Sequence, residues 1–339
     1  MTTPAQAPLA SDTFNGRRVL VTGAGGFIGS HLVERLLASG AQVRAFVHYN
    51  ARSHWGHLES VAPSAQLEIF PGDICDPSRV RQAVEGCDTV FHLAALIAIP
   101  YSYVAPTAYV QANVVGTLNV LEAARQMGVR RLVHTSTSET YGSARYVPID
   151  EAHPLQGQSP YSASKIGADK LAESYFLSFG LPVATVRPFN TYGPRQSARA
   201  VIPTIISQIL GGKRSIRLGS LSPVRDFNFV HDTVDGFLAV ADAPSAVGEV
   251  VNIGSGQGIS IGATVALIQD LMGSAVEIIS DEARVRPESS EVMQLICAND
   301  KARRLTGWQS RTGLREGLAQ TIAYIEAHLD LYKTEVYNV

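Results

Sequence analysis

The chain has little of what marks secreted, nucleic-acid-binding and membrane proteins. Its 339 residues include three cysteines, Cys75, Cys87 and Cys297, too few and too scattered for a disulfide framework or a zinc site. The formal net charge is −2, and no block of lysine or arginine is present to hold nucleic acid or a membrane surface. We recognise neither a signal-peptide pattern nor a bilayer-spanning apolar run. We therefore expect a cytoplasmic location.

What the chain does contain is a regular alternation of short apolar runs and amphipathic segments. The predicted strands cover 18–22, 42–47, 66–70, 89–93, 131–135 and 182–187, and the predicted helices between them cover 27–39, 77–84, 107–127 and 160–179. Strands alternating with helices predict an α/β fold, specifically a Rossmann-type doubly wound parallel sheet.

Beyond residue 188 the predicted elements become shorter. Helices are expected over 201–210, 231–243, 261–272, 300–305 and 314–328, with strands over 215–218 and 249–253. We therefore expect a dinucleotide-binding domain over 12–188, which also receives 226–253. A smaller C-terminal α/β domain over 189–339 is expected to bind the substrate.

The loop after the first predicted strand carries glycines at a spacing of three, Gly23, Gly26 and Gly29. Such a loop lets the backbone approach a pyrophosphate, which then lies on the free amides of the following helix. A glycine motif alone also fits an ordinary strand–turn–helix connection. Here a buried strand precedes it, and an amphipathic helix beginning with Phe27 and Ile28 follows it, so we predict dinucleotide binding.

Two further strand ends lie on the expected path of the cofactor. Asp73 and Ile74 follow the third predicted strand, where a carboxylate can receive an adenine amino group. Leu93, Ala94 and Ala95 follow the fourth, where small residues let a cofactor pass closely. Because the carboxyl ends of parallel strands meet at one edge of a sheet, these positions and the glycine loop define one crevice.

The end of the second strand leaves the cofactor open between NAD and NADP. NAD-binding folds often place an acid there to hold the ribose hydroxyls, and this chain has none. Arg52 or His48 could meet a 2′-phosphate, which would mean NADP, whereas Asn50 could serve NAD.

Tyr161 and Lys165 lie four residues apart at the start of a predicted helix and share one face of it. This spacing also arises often by chance. A free tyrosine has a pKa near ~10, and a nearby cation lowers it, which gives a base for an alcohol proton near neutral pH. The fifth strand runs into Thr137 and Glu139, a hydroxyl for a reacting oxygen and a carboxylate for a proton. Taken alone, that stretch also fits a polar capping loop.

With these motifs the chain resembles the extended short-chain dehydrogenase/reductase family, and within it the nucleotide-sugar 4,6-dehydratases, especially bacterial enzymes acting on nucleotide-linked N-acetylglucosamine. The resemblance covers nearly the whole chain. It is carried by residues 22–29, 73–74, 92–95, 137–139, 161–165, 187–195, 225–227 and 286–288. It implies a tightly bound, recycled cofactor, with NAD favoured, and a homodimer formed through a four-helix bundle of segments 107–127 and 160–179.

The resemblance also implies roles for individual residues. Tyr161, as phenolate, removes the proton of the sugar carbon 4 hydroxyl, Lys165 lowers the tyrosine pKa and binds the nicotinamide ribose, and Thr137 hydrogen-bonds the reacting oxygen. Glu139 takes the carbon 5 proton before water leaves from carbon 6. The implied substrate contacts are Ser138, Asn190, Arg195, Arg199, Arg225 and Arg286.

Glu139 selects among the reactions of this family. Epimerases and decarboxylases typically carry a small or hydroxyl residue there, whereas a dehydratase needs a carboxylate to remove a carbon-bound proton. Ser138 stands where the dTDP-glucose branch has an aspartic acid, so the acid for water loss stays open. The alternatives are a 4-epimerase or decarboxylase and, disfavoured because Tyr161 and Lys165 are present, a non-catalytic NAD(P)-binding regulator.

Overall fold

A computed structural model describes residues 13–61, 63–281, 284 and 290–334. The strands are β1 (Arg18–Thr22), β2 (Gln42–His48), β3 (Leu67–Gly72), β4 (Thr89–His92), β5 (Arg131–Thr135), β6 (Val183–Pro188), β7 (Asn190–Tyr192), β8 (Ser215–Leu218), β9 (Val224–Phe229), β10 (Val250–Ile253), β11 (Gly258–Ser260), β12 (Glu277–Ser280) and β13 (Gln294–Leu295). The α-helices are α1 (Phe27–Ala38), α2 (Pro77–Val84), α3 (Ile99–Val104), α4 (Pro106–Tyr109), α5 (Gly116–Met127), α6 (Pro160–Phe179), α7 (Val201–Leu210), α8 (Val230–Asp242), α9 (Ile261–Met272), α10 (Asp300–Thr306) and α11 (Leu314–Ala327). Arg286, an expected substrate contact, lies outside the described residues.

Seven strands form one parallel sheet in the order β10-β6-β5-β4-β1-β2-β3. Alternate residues of a strand enter opposite cores, so that in β1 Val19 and Val21 pack on one face and Leu20 packs on the other. The chain order reverses between β1 and β4, the place where open α/β sheets bind ligands at the carboxyl ends of their strands. The predicted Rossmann-type doubly wound sheet is confirmed.

Helices cover both faces of this sheet. α1 and α8 pack on the face that contains Val19 and Val21, and α2, α5 and α6 pack on the face that contains Leu20. β10 lies beside β6, and α8 packs against the same sheet, whereas β9 belongs to a smaller sheet described below. The domain boundaries stay predictions. In the part of the chain that the structure describes, no helix is both long and apolar enough to cross a bilayer.

The predicted helix over 107–127 is found, but its hydrogen bonding is not uniform. The chain is helical from Pro106 to Met127 as α4, a π-helical segment Val110–Val115 and α5. The separate helix α3 precedes it. Pro106 has no amide hydrogen and disfavours helical geometry at the residue before it, so Ala105 leaves the helix and separates α3 from α4. The apolar periodicity of the sequence continues through the π-helical segment and conceals it.

The π-helical segment turns Asn113 into the protein. Its side-chain oxygen accepts the amide of Leu96 at 2.8 Å, and its amide group donates to the carbonyl of Leu96 at 3.0 Å and to the hydroxyl of Ser164 at 2.9 Å. One fully buried side chain therefore ties the segment after β4 to α6.

α6 begins with a reciprocal capping box. The hydroxyl of Ser159 accepts the amide of Ser162 at 3.1 Å, and the hydroxyl of Ser162 accepts the amide of Ser159 at 3.0 Å. Pro160 occupies the first helical position, where a missing amide hydrogen is harmless. Tyr161 consequently lies in the first turn of a helix whose N-terminus is firmly held.

The C-terminal part is built on smaller sheets. β9 pairs with β7 and β13 in parallel and with β11 antiparallel, while β8 pairs with β12. α7, α9 and α11 cover a separate core that includes Ile205, Val265 and Leu318. The predicted helices are found here, but β7, β9, β11, β12 and β13 were missed because strands of 2 to 6 residues carry little readable alternation.

Candidate active site

The glycine loop forms a cradle that side chains would fill. Gly23 has a φ of 68°, and a Cβ there would lie 2.8 Å from the amide nitrogen of Ala94. A Cβ on Gly29 would collide with the carbonyl oxygen of Gly23, and one on Gly26 would lie 3.2 Å from the same oxygen. Glycine therefore lets β1 turn into α1 this closely and leaves the first amides of α1 facing the crevice. The cradle fits a dinucleotide pyrophosphate.

The ends of β1 and β4 are fastened side by side along this crevice. The hydroxyl of Thr22 accepts the amides of Leu93 and Ala94, both at 3.1 Å. The same hydroxyl lies 2.8 Å from a ring nitrogen of His92. Leu93, Ala94 and Ala95 are half-buried, and the edge along which a cofactor is expected to pass is thereby fixed.

The other expected cofactor contacts flank the same crevice. Phe27 and Ile28 are half-buried in the first turn of α1, and Ile28 packs against both the sheet core and the C-terminal core. Asp73 is exposed just after β3, where one of its carboxylate oxygens accepts the amide of Cys75 at 2.8 Å. Ile74 is buried beside it. Their contacts with a cofactor stay predictions.

The loop after β2 uses Asn50 to hold itself together. The side-chain oxygen of Asn50 accepts the amides of Arg52 and His54, each at 3.1 Å, and its amide donates to the carbonyl of His54 at 2.6 Å. The side chain thus closes its own turn, and its expected contact with a ribose stays a prediction. Arg52 and His48 are exposed, so this loop does not choose between NAD and NADP.

The phenol of Tyr161 lies beside the side chain of Thr137. Tyr161 is 7% exposed, and its ring packs edge-on against Tyr109 with 6.2 Å between centroids. Burial raises the pKa of the phenol, Thr137 lowers it in part, and the charge of Glu139 raises it further. The net shift of the Tyr161 pKa is upward, opposite to the shift expected from Lys165, and burial is its largest cause.

Lys165 directs its ammonium at the backbone of β5. Its Nζ donates to the carbonyl oxygen of Thr135 at 2.6 Å, and the side chain is nearly fully buried. Burial lowers the pKa of Lys165 to about 8, while the charge of Asp169 acts to raise it. The ammonium therefore stays mostly protonated at neutral pH but depends on the charges around it.

Glu139 lies in a 3₁₀ turn, Ser138–Tyr141, immediately after β5. The hydroxyl of Thr137 caps this turn by accepting the amide of Glu139 at 3.2 Å. The residue is half-buried, and its charge acts on the Tyr161 phenol, so the carboxylate and the phenol share one site. The arrangement pairs a group for an alcohol proton with a second group for another proton.

The sequence analysis did not predict the buried cluster of charged residues beneath α6. Asp169 accepts hydrogen bonds from His134 at 3.1 Å, from the Ser136 hydroxyl at 2.7 Å, and from the Arg187 guanidinium at 2.9 and 3.2 Å. Burial alone would raise the pKa of Asp169, but the His134 bond and the Arg187 charge lower it to about 2. The available signal was Arg187, a charge inside a buried strand, which requires a buried partner.

Two expected diphosphate contacts are engaged with carboxylates. Arg195, with a φ of 72°, donates to both oxygens of Glu34 at 2.8 Å and so links the loop after β7 to α1. Arg225 is 7% exposed and lies 3.2 Å from Glu291. Their contacts with a substrate stay predictions.

The remaining expected substrate contacts differ in exposure. The side-chain oxygen of Asn190 is buried without a hydrogen-bond partner, a costly state that a bound ligand would relieve. Ser138 is buried next to Glu139, whereas Arg199 is exposed and close enough for its charge to act on Tyr109.

Known proteins resemble this chain along almost its full length. A family model described as GDP-mannose 4,6 dehydratase matches residues 20–321. The dTDP-glucose 4,6-dehydratase of Streptomyces griseus is 35% identical over 321 residues, which cover 91% of this chain and 94% of that protein. The UDP-glucose 4-epimerase of Mycolicibacterium smegmatis is 34% identical over 313 residues, which cover 91% and 98%.

Solved structures of known proteins also resemble this chain in their fold. The dTDP-glucose 4,6-dehydratase of Streptomyces venezuelae, crystallised with NAD bound, superposes with a TM-score of 0.85 at 29% identity. The match covers 93% of this chain and 99% of that one. Dehydratases and epimerases thus stand at similar distances from this sequence.

Proposed function

Because the chain belongs to the extended short-chain dehydrogenase/reductase family of nucleotide-sugar 4,6-dehydratases, epimerases and decarboxylases, we propose that it is a 4,6-dehydratase. Such a lyase converts a nucleotide hexose to the 4-keto-6-deoxy sugar. The observation that carries the proposal is the carboxylate of Glu139 in the same site as the Tyr161 phenol, since a 4-epimerase has no carbon-bound proton to remove at carbon 5.

In the first half of the proposed reaction, Tyr161 removes the proton of the carbon 4 hydroxyl. Thr137 hydrogen-bonds the reacting oxygen, and the Lys165 ammonium stabilises the phenolate through its charge and holds the nicotinamide ribose. NAD, when bound, accepts a hydride from carbon 4 and returns it to carbon 6. Burial raises the pKa of Tyr161. In this proposal the charge of Lys165 counters that effect and makes a phenolate accessible near neutral pH.

In the second half, the 4-ketone acidifies the hydrogen at carbon 5, and Glu139 takes this proton as a general base. With Ser138 in place of an acid, Glu139 itself gives the proton to the departing carbon 6 hydroxyl, which leaves as water. The double bond between carbons 5 and 6 would then take the hydride at carbon 6 and one proton at carbon 5, and this proton balances the one that Tyr161 took from the carbon 4 hydroxyl. The cofactor is regenerated in each cycle.

We further propose a nucleotide-linked N-acetylglucosamine as substrate and NAD as the preferred cofactor, with Asn190, Arg199 and Ser138 among the substrate contacts. The unpartnered buried oxygen of Asn190 supports the placement of a ligand there. A homodimer through segments 107–127 and 160–179 is supported by exposed apolar side chains on them, including Leu118 and Leu177.

The test is product analysis of the purified protein. It is incubated separately with UDP-N-acetylglucosamine, GDP-N-acetylglucosamine and dTDP-glucose, and the products are followed by mass spectrometry and NMR. We expect one substrate to lose one water and to gain a 4-ketone and a 6-methyl group, with no net consumption of NAD. A carbon 4 or carbon 5 epimer as the sole product would overturn the proposal.

A 4-epimerase is the second candidate, favoured by the 34% identical relative from Mycolicibacterium smegmatis. Tyr161, Lys165 and Thr137 would serve that reaction equally well. Glu139 would then have no chemical task, and the same product analysis separates the two candidates.

A further inference from the structure

Successive turns of α6 contact successive residues at the end of β5. In the first turn, the phenol of Tyr161 lies beside Thr137. One turn later, Lys165 donates to the carbonyl of Thr135 at 2.6 Å. Tyr161 and Lys165 form the proposed oxidising pair. Their positions therefore depend on how α6 is aligned against the end of β5.

The third turn carries Asp169, which fastens the same two elements. Its carboxylate holds His134 at 3.1 Å and Ser136 at 2.7 Å, the two side chains that flank the carbonyl bonded by Lys165. A second strand, β6, contributes Arg187 at 2.9 Å. The side chains of Asp169 and Arg187 are each 4% exposed, and that of His134 is fully buried. The carboxylate thus uses both oxygens to set the height of α6 over the sheet.

Two of the titratable groups facing Lys165 are uncharged. β4 contributes His92 and β5 contributes His134, and burial lowers the pKa of both rings, with the charge of Lys165 adding to this. An ionised Asp169 only accepts hydrogen bonds, so the His134 nitrogen facing it carries the proton and the ring remains neutral. Neither histidine balances the lysine.

Among the charged groups around Lys165, Asp169 is the buried anion. Lys165 and Arg187 are the cations, and Glu139 is half-buried in the turn after β5. When Tyr161 ionises, its phenolate and Asp169 match the two buried cations in number. Unscreened charges in a protein interior require this kind of balance.

We propose that Asp169 is a positioning residue for the oxidising pair, which registers α6 against β5 and keeps the Lys165 ammonium charged beside Tyr161. The inference rests on the proposed oxidation of carbon 4 but not on dehydration, so an epimerase would need Asp169 equally.

The test follows the Lys165 ammonium directly and needs no substrate. NMR of the lysine side-chain carbons over a pH series yields its titration midpoint, with the signal assigned by its loss in Lys165→Met. Removing a nearby anion favours the deprotonated lysine, so Asp169→Asn is expected to lower the midpoint by about 1 pH unit. The same variant should shift the alkaline limb of kcat/KM to lower pH.

Arg187→Gln is expected to shift the titration midpoint of Lys165 in the opposite direction. It removes a cation from the same carboxylate, so the midpoint of Lys165 should rise rather than fall. This second variant keeps the proposal testable if Asp169→Asn does not fold. Asp169→Glu, which retains the charge but moves it, should leave the midpoint in place while lowering kcat.

The matched control is Glu173→Gln, the same change of charge one turn further along α6. Glu173 has a side chain 51% exposed and pairs with Lys170 at 2.6 Å, so solvent screens it and no shift is expected. An unchanged midpoint in folded Asp169→Asn, or shifts of the same sign in Asp169→Asn and Arg187→Gln, would overturn the proposal.

Discussion

The two sides of the crevice are built in different ways. On the oxidising side, the side chains of Asp169 and Arg187 are each 4% exposed and lie within a closed set of hydrogen bonds. On the substrate side, Arg195 is held by Glu34, whose side chain is 38% exposed, and Arg199 is exposed. Buried polar networks fix one geometry, whereas half-exposed ion pairs are weak and are exchanged at little cost.

This difference separates what the family shares from what distinguishes its members. The oxidation at carbon 4 is common to dehydratases and epimerases, and it belongs to the rigid side. We assign the proposed recognition of the nucleotide and the sugar to the loop after β7, where Arg195 can exchange the carboxylate of Glu34 for a ligand phosphate. A change of substrate then requires no change in the oxidising side.

The strongest test of the comparison is Glu139→Gln. We expect turnover to fall by about 10²–10⁴-fold, because the amide cannot take the carbon 5 proton, while NAD binding is retained. Product formation by mass spectrometry and NAD affinity by calorimetry measure the two effects. The control is Glu326→Gln, an exposed carboxylate on α11 far along the chain. Unaltered dehydration in the variant would mean that Glu139 is not the base.

The next largest effect is expected for Gly29→Ala, a substitution in the glycine loop that forms the proposed cofactor cradle. The added Cβ meets the Gly23 carbonyl and lies 3.0 Å from Cα of Ala24, so the turn must open. We expect the Kd for NAD to rise by at least about tenfold, or ~1.4 kcal/mol, in calorimetry. The control is Gly167→Ala within α6, where the nearest atom is 3.5 Å away. That change should stabilise the helix by about 0.5–1 kcal/mol.

Among the ion pairs of the substrate side, the more buried pair should contribute more to the free energy of unfolding. Arg225→Met leaves Glu291, 17% exposed, without its cation and should cost about 3 kcal/mol in urea unfolding. Glu34→Gln breaks the more exposed pair with Arg195 and should cost less than about 1 kcal/mol. A larger loss from Glu34→Gln would contradict the ranking and make the α1 junction a rigid element too.

The smallest expected effect is that of Arg52→Ala after β2. The guanidinium is exposed, so unfolding free energy should change by less than about 0.5 kcal/mol. Affinity for NAD should be unaltered, whereas affinity for NADP should fall by up to about tenfold, since that cofactor carries a phosphate for the guanidinium to bind. Calorimetry with both cofactors measures this. A fall for NAD alone would assign Arg52 to the adenosine ribose instead.

Sequence reasoning succeeded where local signals and tertiary structure agree. β5 and α6 match their predicted bounds, because an apolar run defines the strand and Pro160 with Gly180 delimits the helix. At 107–127 it found the helix but missed the π-helical segment within it, because the apolar periodicity continues across that segment. Periodicity reports which side is buried but not how the backbone hydrogen bonds are spaced.

The candidate site shows the same limit. Spacing placed Tyr161 and Lys165 on one helix face, but it could not show that burial raises the pKa of the phenol. The partners of Asp169 come from β5 and β6 and meet it only in three dimensions. Burial and long-range contacts are properties of the folded chain, so no local pattern encodes them directly.

The capping box at the start of α6 has an electrical consequence. Peptide dipoles aligned along a helix place a partial positive charge at its N-terminus, and Tyr161 lies in that first turn. A negative charge there is favoured by about 0.3–1 kcal/mol, which for the phenolate amounts to up to about 0.7 of a pKa unit. This contribution belongs to the backbone. It is present at every pH, and it persists in any variant that leaves the first turn of α6 intact.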